Sequence, residues 1–259
     1  MRNLTSETVT HVHHWNESLF SIKTTRSPNY TFENGQFVML GLEIDNKPLM
    51  RAYSIASANY EDELEFFSIK VPDGALTSRL KDIKVGEQLL LSTRPAGTLV
   101  ADFLIEGKNL YLLATGTGLA PFMSIIKDPD IYERYEHVIL VHSVREKSEL
   151  AYQDQICNEL PNNEYFGDLV SEKLLYFPIV TREPFRSSLH QRRLTELLKS
   201  GELCKYFNLP ELNTEDDRFM LCGNQSMLDD TMSILSDFGF KKATSREKGH
   251  FVIEHAFLE

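Results

Sequence analysis

A change of hydrophobic rhythm near residue 102 constrains the fold more than any other feature of the chain. Before it, short apolar segments at residues 8–14, 19–25, 36–42, 51–57, 64–71 and 88–92 are separated by turn signals: Ser27-Pro28-Asn29, Asn34-Gly35, Asp45-Asn46-Lys47-Pro48, Pro72-Asp73-Gly74, Val85-Gly86 and Pro95-Ala96-Gly97. Many short strands at this spacing predict an antiparallel barrel or sandwich. Residues 77–84 predict one short helix able to plug a barrel end. Beyond residue 102, buried-type strand runs at 110–114, 138–142, 176–180, 218–222 and 251–254 alternate with helical stretches at 122–127, 149–160, 193–200 and 226–237. Five strands with crossover helices predict a doubly wound, five-stranded parallel α/β sheet. Two domains are therefore expected, residues 1–102 and 103–259.

Length and composition are compatible with that division. The 259 residues are 42% hydrophobic and 25% charged, a globular balance. No apolar run approaches the ~20 residues needed to span a bilayer, and the first residues lack the apolar core of a signal peptide. The three cysteines (157, 204 and 222) form neither a disulfide framework nor a Cys-x-x-Cys metal pattern. A cytoplasmic protein is the expectation, with no membrane partner. The net charge of −11 argues against a nucleic-acid partner. Residues 1–102 carry −3 of it and the remainder −8. Within the acidic second part, however, Arg182, Arg186, Arg192, Arg193 and Lys199 crowd together. That cluster fits one specific anionic ligand, or a solvated helix face balanced by Glu183 and Glu196. His11, His13 and His14 have no further ligand cluster and read as strand composition, not a metal site.

Several stretches carry chemistry. In Arg51-Ala52-Tyr53-Ser54, residues two apart on a strand share a face, so Arg51 and Tyr53 project together. A guanidinium fork for phosphate, a flat ring and a hydroxyl donor suit a flavin nucleotide, although such a pattern also occurs on ordinary sheet surface. The run Gly74-Ala75-Leu76-Thr77-Ser78 puts a turn before a helix start, where backbone amides and hydroxyls can cradle a phosphate or Thr77 can simply cap the helix.

Thr115-Gly116-Thr117-Gly118-Leu119-Ala120-Pro121 follows the first strand of the second half. Its glycines admit a diphosphate close to backbone and its proline suits a first helical turn. It is not the Gly-x-Gly-x-x-Gly fingerprint, so strand–loop–helix context alone indicates a nucleotide or phosphate site or a tight turn. Ser143-Val144-Arg145 and Thr181-Arg182 close the next two strands, where open parallel sheets bind ligands. Arginines there would suit the 2′-phosphate that distinguishes NADP(H) from NAD(H). Cys222, before Gly223, is either a small buried hydrophobe or part of a crevice lining.

Together these stretches, with Arg193-Leu194-Thr195 and the Ala256-Phe257 tail, resemble the ferredoxin/flavodoxin–NADP(+) reductases of the compact bacterial type along essentially the whole chain. The resemblance implies an FAD-binding antiparallel β-barrel followed by an NADP-binding α/β domain. It implies that Arg51, Ala52, Tyr53 and Ser54 hold FAD, with Tyr53 on the isoalloxazine. Phe67, Ser68, Ile69, Gly74, Ala75, Leu76 and Thr77 would complete the FAD cradle. Gly116, Thr117 and Gly118 would lie at the NADP diphosphate, and Ser143, Val144, Arg145, Thr181, Arg182 and Arg193 around the 2′-phosphate. Glu254, Ala256 and Phe257 would bring the tail onto FAD, and Tyr53, Cys222 and Ala256 would shape the reaction pocket.

One departure is that residues 186–192 form a longer link than the family usually has, with Gln191-Arg192 in place of a glycine, which leaves Arg186, Arg192 and Arg193 as alternatives for the phosphate. The implied activity is electron exchange between NADP(H) and ferredoxin or flavodoxin through FAD, by a monomer. An NAD(P)H-dependent flavin reductase, an oxygenase-system reductase component and a non-enzymatic nucleotide-binding subunit are the alternatives.

Overall fold

A computed structural model describes residues 3–71 and 73–255, and places two sheets in series. The first is antiparallel, built from β1 (Leu4–His14), β2 (Leu19–Thr24), β3 (Phe37–Ile44), β4 (Lys47–Ser54), β5 (Leu64–Ile69) and β6 (Gln88–Ser92), in the order β4-β3-β6-β1-β2-β5. An Ile55–Phe66 bridge joins the two edges into a barrel. β1 pairs with β6 through its first half and with β2 through its second, turning the corner at an irregularity between Val9 and His11.

The first helix, α1 (Thr77–Leu80), is shorter than the expected 77–84, but Leu76, Leu80 and Ile83 still enter the barrel core beside Val9, Ile22 and Phe66. The turn expected over residues 45–48 contracts to Asp45-Asn46. Both have positive φ (50° and 59°), so β4 starts at Lys47 in a two-residue hairpin. Pro48 is tolerated because β4 pairs only with β3 and is an edge strand.

The second sheet is parallel: β7 (Asn109–Thr115), β8 (His137–Val144), β9 (Leu174–Val180), β10 (Asp217–Gly223) and β11 (Phe251–His255), ordered β11-β10-β7-β8-β9. Two apolar layers cover it. One joins α2 (Ala120–Ile125), α3 (Pro129–Arg134) and α4 (Gly167–Lys173) to the sheet through Phe122, Tyr132 and Val170. The other joins α5 (Leu194–Ser200), α6 (Glu202–Tyr206) and α7 (Gln225–Asp237) through Leu198, Leu203 and Leu228. The fold is therefore a barrel followed by a doubly wound α/β unit.

The continuous helix expected over residues 149–160 does not form. A 3₁₀ turn at Lys147–Glu149 is followed by Tyr152 at φ +61° and a π-helical turn at Gln155–Glu159, because this segment docks on the barrel and does not run free along the sheet. The two units share one apolar cluster, in which barrel residues Leu19, Ala56 and Phe67 meet Phe122, Ile126 and Tyr152. Polar contacts reinforce the seam: buried Lys127 pairs with Glu61 at 2.9 Å, and Asn34 Nδ2 donates to Asp128 at 2.9 Å.

Candidate functional site

The strand order reverses between β7 and β10, and a cleft of about 1000 Å³ opens at the carboxyl ends there. Thr115, Gly116, Thr117, Ser143, Val144, Arg145, Thr181, Arg182 and Arg193 line it, with Ile69 contributed by the barrel. Gly116 is needed for its backbone (φ +54°), since an added Cβ would meet nothing within 4 Å. At Gly118 the reason is crowding, because a Cβ would fall 2.2 Å from the Cys222 carbonyl oxygen. Thr115 Oγ1 accepts from the Asn224 amide at 3.0 Å and so clips the β7 loop to the start of α7. Beneath the loop, buried His142 donates from Nε2 to the Gly116 carbonyl at 3.0 Å. Burial holds its pKa down to about 4, so the imidazole is neutral.

Arg145, Arg182 and Arg193 reach the cleft with exposed side chains that form no ion pair among the described residues. Arg192 also lines the cleft but is engaged by Glu196 at 3.5 Å and by Glu202. Arg186 stands over the Phe185 ring at 5.2 Å and does not line it. Of the three alternatives, Arg193 is therefore the one with an uncommitted charge in the cleft. The neighbouring backbone is pre-shaped. Glu149 accepts from the amides of Arg145 (2.8 Å) and Glu146 (2.9 Å), and the Arg182 amide donates to the Arg145 carbonyl at 2.9 Å. Glu149 and Asn224 were not singled out from sequence, although the Glu146-x-x-Glu149 spacing is a capping-box signal and Asn224 is a helix cap preceding α7.

The barrel half holds the other group. Tyr53 is buried and its hydroxyl shares a hydrogen bond with Ser68 at 3.2 Å; burial raises its pKa. Arg51 is half-buried and among the described residues its side chain donates only to the Met50 carbonyl at 2.9 Å; Ala52 is exposed and Ser54 is half-buried. Phe67 and Ser68 are buried on β5. Thr77 neither caps a helix nor stands free, for its hydroxyl exchanges hydrogen bonds with Val71 at 3.3 Å. Among the described residues the amides of Ala75, Leu76 and Thr77, which follow Gly74, donate to no carbonyl, the pattern expected where a turn presents its N–H groups to an anion. A phosphate nest, an arginine and buried aromatic side chains form a donor set that fits a flavin dinucleotide.

Cys222 is fully buried, does not line the cleft, and burial pushes its thiol well above the usual range. Glu254 accepts from the Thr98 amide at 2.9 Å, yet burial pushes its carboxyl up to about 7. Ala256 and Phe257 lie outside the described residues.

Glu254 yields a pH prediction. Its folded value lies above the ordinary 4.5, so the native state holds the extra proton between the two values. Its contribution is complete below pH ~4.5 and is lost as pH rises through about 7, a change of up to about 3 kcal/mol. Glu254→Gln should therefore flatten the decline in melting temperature between pH 5 and 8 relative to the parent. An identical decline in both proteins would rule out this titration.

A barrel with a phosphate nest, joined to a doubly wound sheet with a nucleotide-type cleft, defines an oxidoreductase of paired flavin and pyridine-nucleotide domains. Family models agree: residues 7–100 match the oxidoreductase FAD-binding domain and residues 112–233 the oxidoreductase NAD-binding domain. The ferredoxin–NADP reductase of Pseudomonas aeruginosa is 60% identical over 260 residues, covering all of both chains. The flavodoxin/ferredoxin–NADP reductase of Rhodobacter capsulatus is 47% identical, covering 98% of this chain and 93% of that one. A ferredoxin NADP+ reductase from Neisseria gonorrhoeae, crystallised with bound FAD and NADP, superimposes with a TM-score of 0.90 at 32% identity, covering 99% of this chain and all of that one. This chain belongs to the ferredoxin/flavodoxin–NADP reductase family.

Proposed function

We propose that the protein is an FAD-dependent reductase that exchanges electrons between NADP(H) and ferredoxin or flavodoxin. The observation that carries this reading is the cleft in which Thr115 to Thr117, Arg145, Arg182 and Arg193 face a barrel strand through Ile69, which follows Phe67 and Ser68 on β5. Bound FAD would supply hydride acceptance from NADPH and single-electron delivery to the carrier protein.

The chain's own part is binding, orientation and exclusion of water. Residues 1–102 hold FAD, with Arg51 and the Ala75 to Thr77 amides on its diphosphate and Tyr53, Ser54 and Phe67 to Ile69 along the flavin. Residues 103–259 hold NADP(H), with Gly116 to Gly118 at the diphosphate and Ser143 to Arg145, Thr181, Arg182 and Arg193 around the 2′-phosphate. Cys222 acts from beneath the cleft, its backbone packed against Gly118 of the β7 loop, and its buried thiol stays protonated. Neutral His142 fixes the Gly116 carbonyl and moves no proton. Glu254 ties the end of β11 to the first unit by accepting from the Thr98 amide. The protein works as a cytoplasmic monomer; no described helix is long and apolar enough to cross a membrane.

The test is stopped-flow reduction of the purified FAD-loaded protein, followed at 450 nm with NADPH and NADH side by side. Rapid bleaching by NADPH and slow bleaching by NADH is expected. Equal rates would overturn the 2′-phosphate assignment, and failure to bind FAD would overturn the flavin assignment.

A further inference from the structure

Tyr152 is the one bulky aromatic residue among the described non-glycine residues with positive φ, at +61°. A β-carbon bearing a large ring avoids that region, and the surroundings must over-determine such a conformation for it to persist. Here they do. The ring is buried, packed on Trp15 at 4.5 Å and edge-on to Phe67 at 5.3 Å between centroids. Its hydroxyl donates to Glu65 Oε1 at 2.7 Å. Glu65 is itself buried, and among the described residues no other side chain donates to its carboxylate except through this tyrosine. Nearby, Asn16 Nδ2 donates to the Ser148 carbonyl at 2.8 Å.

Trp15, Asn16, Glu65 and Phe67 all belong to the barrel, whereas Ser148 and Tyr152 belong to the segment after β8 that begins with Arg145. Arg145 is an exposed cleft residue whose own side chain has no protein anchor among the described residues. Four residues beyond Glu65, β5 reaches Ile69, the barrel residue of the same cleft. The contact thus spans the two units at a point from which both walls of the cleft are set.

We infer that Tyr152 is a positioning residue for coenzyme: through its hydrogen bond to Glu65 it holds the Arg145 segment against β5, and so fixes where the 2′-phosphate is bound relative to the flavin side of the cleft. The inference rests on the assignment of Arg145 to the 2′-phosphate. Tyr152→Phe keeps the packing and removes one hydrogen bond. The double variant Y152F/E65L removes donor and acceptor together, which avoids stranding a buried carboxylate and keeps the protein folded if the single variant is not.

The probes are 2′,5′-ADP and 5′-ADP, which differ by the 2′-phosphate, titrated calorimetrically into FAD-loaded protein alongside Arg145→Ala. Release of the segment should weaken 2′,5′-ADP binding about tenfold and leave 5′-ADP within about twofold in both Tyr152 variants, the scale of one charge-assisted contact. KM for NADPH should rise in parallel with kcat little changed, whereas KM for NADH should hold. A merely structural role would weaken both nucleotides alike, and equal loss overturns the inference. If Arg145→Ala weakens 2′,5′-ADP while Tyr152→Phe and the double variant do not, the inference fails and the Arg145 assignment stands. If Arg145→Ala has no effect, that assignment fails and the inference with it.

Discussion

The double variant Arg145→Ala/Arg182→Ala is expected to lose on the order of a hundredfold in affinity for NADPH while keeping its affinity for NADH. Each guanidinium contributes about 1.5 kcal/mol in a charge-assisted contact at the exposed end of the usual range, and about 1.4 kcal/mol corresponds to a factor of ten. Neither side chain is committed elsewhere among the described residues, so their removal strands no partner and leaves the fold intact. Raising the salt concentration should erode the parent's preference for NADPH and scarcely change that of the variant, because the lost term is an exposed charge interaction. Dissociation constants from flavin difference spectra at two ionic strengths check both points. A matching loss for NADH would mean that the arginines hold the diphosphate, or the loop itself, and not the 2′-phosphate.

The largest effect on stability is expected at Arg218, far from the cleft. Its side chain is buried at the start of β10 and donates to the carbonyls of Ile105 (3.1 Å), Thr214 (3.0 Å), Asp217 (2.5 Å), Glu215 (2.9 Å) and Glu106. No carboxylate pairs with it among the described residues. Carbonyl dipoles take its hydrogen bonds, and they come from both the 213–217 turn and the 105–106 connection between the two sheets. Arg218→Ala leaves buried acceptors without a donor and should cost about 3–5 kcal/mol. Arg218→Lys should recover only part of this, because an ammonium has three donors and no planar fork. Urea midpoints for the three proteins at constant m-value measure it. A loss below about 1 kcal/mol in the alanine variant would show that water replaces the guanidinium at little cost.

The two hydrophobic rhythms were legible because each reflects local periodicity. Strand runs such as 138–142 and 218–222 lie within β8 and β10, and the plug at Leu80 was visible as one apolar turn after Gly74. Short helices were less legible. α3 carries a local signal, Asp128 as cap and Pro129 in its first turn, whereas α4 and α6 are only one or two turns long and give periodicity little room. Residues 149–160 failed for a different reason. Their apolar spacing suits a helix, but Trp15 and Glu65 draw Tyr152 into the seam, and contacts more than eighty positions apart leave no mark on a sequence window. The same holds for Lys127, which looks like a helix-end cation and is in fact buried against Glu61. In the site, the arginines could be enumerated from sequence, but choosing Arg193 over Arg192 required seeing Glu202 take the latter.

The apolar cluster that runs without a break from Leu19, Ala56 and Phe67 into Leu110, Phe122 and Ile126 also bears on how such chains can be recombined. A barrel and an α/β unit that share a side-chain interior are not interchangeable cassettes. A chimera joining this barrel to the second half of a distant relative would inherit a seam of unmatched volumes. Its two halves should melt separately, whereas this chain should melt in one step.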